Sequence, residues 1–407
     1  MKYLKYFFLI LTIPLCAIDE GTPGLDQKDI EALREWIKTK RQVTVKERGG
    51  ALSLSGEVRA ELQSTNEKKN GIKQRGSGGE AKHTATRAWD VEVNLMLNYR
   101  TDRTWATIKI EFDNNAGTES GTFGKISMER AFLGGRIVNG DTYTMDLEIG
   151  RRLLGYTFDS KIEFGSFMDG ILYKYDQSFD VTGDFYFHGG PFVVDETLDH
   201  FGYVGELGLL NVGRTGLYTK LSAIYWDTKH MHNKNRNNAY RFLPLQWIWG
   251  YKFTPESLNK VVTAYGAALY NPRAHGTLVS NGKRQAWAWY AGFSIGELRK
   301  QWDWSFDINY QWVQFQAVPD FDGSGIGRGN ASGRGLYTRS SKGKGAPNGV
   351  GQGVGAGNFK GFAAEFLYLL TNNITVYQAW RQSVNETSSI KPTFSYKQYE
   401  IELIYGF

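Results

Sequence analysis

One cysteine, Cys16, and nine prolines are all that a chain of 407 residues holds of these two types. A lone thiol cannot close an intramolecular disulfide or build a cysteine-rich metal finger, so neither staple supports the fold. Hydrophobic length is missing as well. Outside residues 1–17 no apolar run approaches the roughly 18 residues that suggest a transmembrane helix, and mean hydropathy is −0.42, which excludes a helical membrane protein. Charge of one sign is also scarce. Against 42 Asp and Glu stand 48 Lys and Arg, too small a surplus to argue for nucleic acid.

What the chain does have is glycine, 48 residues, and aromatics, with 24 Phe, 23 Tyr and 12 Trp. A sequence polar on average yet rich in aromatics is what strict alternation yields when one strand face meets lipid and the other water. From Gly50 onward the period is two. In ALSLSGEVRAEL, Leu52, Leu54, Val58, Ala60 and Leu62 share one face, and Ser53, Ser55, Glu57, Arg59 and Glu61 the other. QWDWSFDINYQW puts Trp302, Trp304, Phe306, Ile308, Tyr310 and Trp312 on one side and Gln301, Asp303, Ser305, Asp307, Asn309 and Gln311 on the other. Such a file of aromatics would be a hazard in water and is an ordinary wall against lipid.

About sixteen segments of this kind begin near residues 51, 87, 103, 125, 142, 168, 179, 201, 215, 241, 259, 284, 300, 359, 373 and 395. Short links (101–103, 139–141, 211–214, 253–257, 371–373) alternate with long ones (64–86, 114–124, 152–167, 188–199, 228–240, 272–283, 317–358, 385–394). The pattern predicts an all-β fold, a transmembrane antiparallel β-barrel over 50–407, with short turns on one rim and long loops on the other. Parity slips near Glu129, where a bulge is expected, and is ill-defined over 182–192.

The leading residues read differently. Residues 1–17, MKYLKYFFLILTIPLCA, carry Lys2 and Lys5 before an apolar stretch and fit a cleaved export signal. Residues 18–49 form a periplasmic segment in which Ile30, Leu33, Trp36 and Ile37 fall at helical spacing, giving a short amphipathic helix over Leu25–Gln42.

The last strand, YKQYEIELIYGF, has Tyr399, Ile401, Leu403, Tyr405 and Phe407 at every second position. It resembles the C-terminal recognition strand of Gram-negative outer-membrane proteins, which the barrel-assembly machinery reads. A second likeness lies in the middle of the chain. Gly150 and Arg151 end a strand, and Asp169-Gly-Ile-x-Tyr173 opens the next. This is similar to the general porin family, where the intervening third loop folds into the barrel. The resemblance implies an outer-membrane homotrimer, without cofactor, that passes ions and small hydrophilic solutes and contacts membrane lipid and lipopolysaccharide. It also implies a pore constriction, with Asp159, Lys161 and Glu163 on the loop and Arg59, Arg130, Arg136 and Arg152 on the facing wall.

Other motifs carry less. The Gly-rich, basic stretch 321–359 lacks the spacing of a phosphate loop and reads as a surface loop. His230 and His232 lie in a polar loop, where solvation explains them. Outer-membrane proteases need paired Asp and an Asp–His couple, for which Asp195, Asp199 and His200 are the nearest grouping; a Ser–His pair on the outer face, as in the phospholipases, is not found. The expected function is therefore not enzymatic. Two alternatives to an open porin stay in view. A substrate-specific channel needs a lumen ladder, for which Tyr218, Phe242 and Tyr290 are too scattered; a surface adhesin or structural barrel would rely on 317–358. The lumen positions mix Glu57, Asp90, Glu92, Asp303, Asp307 and Glu400 with Arg59, Lys109, Lys220 and Lys252, which leaves charge preference open.

Overall fold

The computed structural model describes residues 43–47, 50–79, 85–115, 125–196, 199–227, 242–274, 276, 282–319, 322–326, 357–390 and 393–407. The export signal, the amphipathic helix and most of the Gly-rich loop lie outside these residues.

Sixteen strands form the barrel: β1 (Gly50–Lys69), β2 (Arg87–Arg100), β3 (Thr104–Asn115), β4 (Lys125–Asn139), β5 (Tyr143–Leu153), β6 (Phe167–Phe179), β7 (Gly183–Asp195) and β8 (His200–Val212), then β9 (Leu217–Trp226), β10 (Leu245–Phe253), β11 (Val262–Tyr270), β12 (Trp287–Ile295), β13 (Trp304–Val313), β14 (Phe359–Leu369), β15 (Ile374–Asn385) and β16 (Phe394–Gly406). Each pairs antiparallel with the next, and β16 returns to β1 from Phe394↔Lys69 to Gly406↔Glu57. Closure leaves no open sheet edge, the condition for a sheet in hydrocarbon. Phe407 extends the seam, its N–H donating to Gly56 O at 2.9 Å and its carbonyl accepting from Gly56 N at 3.0 Å. Where β16 stops short of the start of β1, a five-residue strand, Val43–Glu47, doubles back and pairs with residues 50–54.

The strand starts fall within four residues of those read from the alternation. The bulge is at Glu129: Lys109 faces Arg130 and Ile110 faces Met128, so Glu129 has no opposite number. Two local expectations need correction. The stretch 188–199, read as a long loop, is strand through Asp195, and only 196–199 link β7 to β8. A side chain on Gly190 would sit 1.9 Å from Ile171 O, so glycine is what lets β6 and β7 pair here. In the tryptophan-rich segment, regular strand begins at Trp304, and Trp302 occupies the preceding turn with φ 75°.

The outer wall is mostly apolar but not uniform. Four of the five outward residues of β10 are aromatic (Trp247, Trp249, Tyr251, Phe253), and β13 presents Trp304, Phe306, Tyr310 and Trp312. The outward face of β1–β5 is mostly Leu, Ile, Val, Met and Ala, with Trp89, Tyr99, Phe112 and Tyr143 as its aromatics.

Candidate functional site

The link between β5 and β6, residues 154–166, turns into the barrel. It leaves β5 through a single 3-10 turn, Leu154–Tyr156, just after Gly150, whose φ of 134° suits glycine and whose Cα packs against β4. Leu154, Phe158 and Phe164 pack with Met168, Leu172, Phe192, Ile224 and Trp226 against β6–β9. Ile162 joins a second cluster with Tyr218, Ile248, Tyr265, Tyr290 and Val313 on β9–β13. All four loop side chains are at most 1 % exposed.

Polar contacts fix the same docking. Lys220 Nζ on β9 lies 2.9 Å from Asp159 Oδ2, and Gln246 Nε2 on β10 donates to Asp159 O at 2.8 Å. Lys161 Nζ lies 3.2 Å from Asp307 Oδ1 on β13, a carboxylate that also accepts from Tyr265 OH at 2.9 and 2.7 Å. The loop thus reaches across the lumen and is pinned to the far wall at two charged points.

A second inward segment, described over 314–319 and 322–326, lies on the first. Ser324 N–H donates to Ile162 O at 2.7 Å, Ser324 Oγ to Glu163 O at 2.7 Å, and Gly165 N–H to Asp322 O at 2.8 Å. Ala317, Val318 and Ile326 bury themselves in the cluster around Ile162. The sequence reading placed this stretch in a surface loop; its described part is instead a second inner layer. The clue was available in the apolar residues of QAVPDFDGSGI, which a solvated linker has no reason to carry.

The residues expected at a constriction are distributed as follows. Asp159 and Lys161 are the two pins. Glu163 is 1 % exposed, and neither of its carboxylate oxygens finds a hydrogen-bond partner among the described residues. Burial, with Asp322 and Glu206 close by, holds this loop carboxyl well above its usual range. Arg152, near the top of β5, is buried against Glu148, with its guanidinium 4.1 Å from the Phe132 ring. The Arg130 guanidinium lies 3.6 Å over the ring of the loop's Tyr156, so wall and loop meet there. Arg59 is part-exposed among Glu57 (2.5 Å), Glu402 (3.7 Å) and Glu92 (3.8 Å). Arg136 sits three residues from the short turn that ends β4 and pairs with Asp146 at 2.8 and 3.1 Å, nearer that rim than the loop.

The motif residues around the loop do something else. Gly150 faces Gly170 across β5–β6, and beside them Arg151 and Asp169 form a two-point ion pair, 2.7 Å at each contact, on the outer face. Asp195 and His200 are register partners where β7 meets β8.

Neither a protein-family model nor a curated protein matches this chain. Solved structures do. OprB of Pseudomonas putida in its high-pH structure aligns with a TM-score of 0.51 at 9% identity, covering 88% of this chain and 94% of that one. OmpF of Salmonella typhi, in complex with daunomycin, aligns with a TM-score of 0.50 at 12% identity, covering 90% and 100%. At such identities the likeness is one of fold: a closed antiparallel barrel of similar extent.

Proposed function

We propose that the protein is an outer-membrane porin through which ions and small hydrophilic solutes diffuse down their gradients. One observation carries the reading. The inward segments pack chiefly against β6–β14, while the lumen face of β15, β16 and β1–β4 keeps part-exposed charged side chains, as at Arg59, Glu92, Glu129 and Arg381, beside buried ones such as Glu57 and Glu402. A barrel walled by lipid-facing residues, with a wet charged arc beside a fixed inner loop, is a narrowed aqueous conduit and needs no cofactor. In this reading the waist lies between the loop around Tyr156–Lys161 and the facing arc. Arg59 lines its free side, Asp159 and Lys161 pin the loop to the far wall, Glu163 lies buried within the loop, Arg130 and Arg152 stand on the side where wall and loop meet, and Arg136 lies towards the short-turn rim.

Export by the leading signal, insertion by the barrel-assembly machinery through the Tyr399–Phe407 pattern, and contact with lipid and lipopolysaccharide complete the proposal. The aromatic-poor face of β1–β5 supports assembly as a homotrimer. Interfacial aromatics mark lipid contact, and an exposed charge pair such as Arg151–Asp169 is unfavourable against hydrocarbon and tolerable against a second copy.

The test is single-channel conductance of the refolded protein in a planar bilayer. Steps on the order of a nanosiemens in molar salt, closing in threes, support an open trimeric porin. Silence from protein shown to be folded refutes it and favours a structural or adhesive barrel.

A further inference from the structure

The register of the seam gathers acidic residues in a way no single strand reveals. On the lumen side Glu402, Glu61 and Asp90 stand in one cross-strand row over β16, β1 and β2. The next row is Arg59, Glu92 and Asp113, and the next Glu57, Asn94 and Glu111, on β1, β2 and β3. Glu400 adjoins the first row; carboxylate oxygens of Glu61, Glu400 and Glu402 all lie within 4.8 Å of one another. Eight carboxyl groups therefore share this stretch of wall with Arg59, whose guanidinium reaches Glu57, Glu92 and Glu402. At the margins Arg381 takes Glu400 at 2.5 Å, and Lys109 is engaged by Glu129.

Like charges placed directly opposite in an antiparallel pair destabilise a sheet, so packing alone does not account for this patch. A second feature points the same way. Ser55 Oγ and Asn94 Oδ1, on side chains 1 % and 2 % exposed, have no hydrogen-bond partner among the described residues. Asn94 gives its amide nitrogen to Glu57 at 2.9 Å and to Glu92, which leaves its oxygen, an acceptor, among acceptors. The patch is short of donors and of positive charge, which protons shared between carboxyls and hydrated cations can both supply. The bases that could offset it from across the lumen are committed elsewhere: Lys161 to Asp307 and Lys220 to Asp159.

Resting on the porin reading above, we infer that the conduit selects cations, and that the β16–β3 patch is the surface along which they pass and where divalent cations dwell. A low-dielectric wall carrying one sign of charge focuses its field into the aqueous gap beside it. A mean potential of only one kT there enriches monovalent cations and depletes anions by about e-fold each, a K+ over Cl− preference of about sevenfold.

The experiment is the reversal potential of the refolded wild-type channel across a tenfold KCl gradient, repeated with millimolar MgCl2 and with the triple variant Glu61→Gln, Asp90→Asn, Glu402→Gln. The inference expects cation preference of that order in wild type and its reduction by at least half in the variant. It also expects a graded reduction by Mg2+ in wild type that the variant loses. A non-selective or anion-preferring wild-type channel overturns it without any variant, as does a folded variant of unchanged selectivity. No conductance at all from folded protein refutes the porin reading instead, so the two failures are distinguishable.

Discussion

If the inner loop is held mainly by packing, then cutting its strongest ion pair should weaken the protein without opening the pore. Lys220 is fully buried and faces Asp159, so Lys220→Met leaves a carboxylate largely out of water with no counter-charge, a loss of about 3–5 kcal/mol. Against this stand Leu154, Phe158, Ile162 and Phe164, all at most 1 % exposed. At about 1.5–3 kcal/mol for each buried side chain, they hold the loop with about 6–12 kcal/mol, and the Lys161–Asp307 pin remains. The expected result is a lower unfolding temperature, read from heat-modifiable gel mobility, with single-channel conductance within about twofold of wild type. The double variant Phe158→Ala, Phe164→Ala removes about 3–5 kcal/mol at each site. It should release the loop and give larger, noisier openings. A severalfold rise in conductance from Lys220→Met alone, or unchanged channels in the double variant, would refute the packing argument.

Three further outcomes follow from the geometry. A β-branched residue at Gly150 would place a carbon 2.2 Å from Ala131 O, so Gly150→Val should block barrel formation, measured as loss of the heat-modifiable folded band. Gly56→Val would meet the Phe407 ring at 2.6 Å and Asn94 O at 2.8 Å; together with Phe407→Ala, which removes the ring, it tests the seam, and both should lower yield in the outer-membrane fraction. Glu163 sits on the loop, outside the membrane-spanning strands, with its carboxyl held well above the ordinary 4.5. Its contribution to stability is therefore fully present below about 4.5 and is lost as pH rises towards the folded value. Glu163→Gln should match wild type at pH 4 and exceed it in melting temperature at pH 8; equal melting temperatures at both would count against a neutral buried acid.

The strands were readable because lipid and water sort side chains at every second position, a rule strong enough to locate sixteen starts and the bulge at Glu129. It failed where backbone proximity, not side-chain chemistry, decided the conformation, as at Gly189-Gly190-Pro191. The site was legible only in part. That the loop after Arg151 turns inward was implied by family likeness, but its anchoring depends on Lys220, Gln246, Tyr265 and Asp307, which come from four strands and share no local pattern. The acidic patch was hidden for a similar reason. Glu61 and Glu402 are each an unremarkable polar member of an alternating strand, and only the register of closure sets them side by side.

The seam has a kinetic consequence. Lys69 pairs with Phe394, at the far end of the described barrel, as well as with nearby Ile72, so the seam joins residues as distant in sequence as the barrel allows. Each of the other strands has both neighbours a connection away in sequence, but β1 beyond the part covered by Val43–Glu47, and β16, each keep one bare edge until the cylinder is joined. Contact order of this kind slows folding and lengthens the time an adhesive edge is on offer. The slow step of maturation should therefore be the joining of the first and last strands, and intermediates that accumulate before it should be open curved sheets, prone to pair with one another.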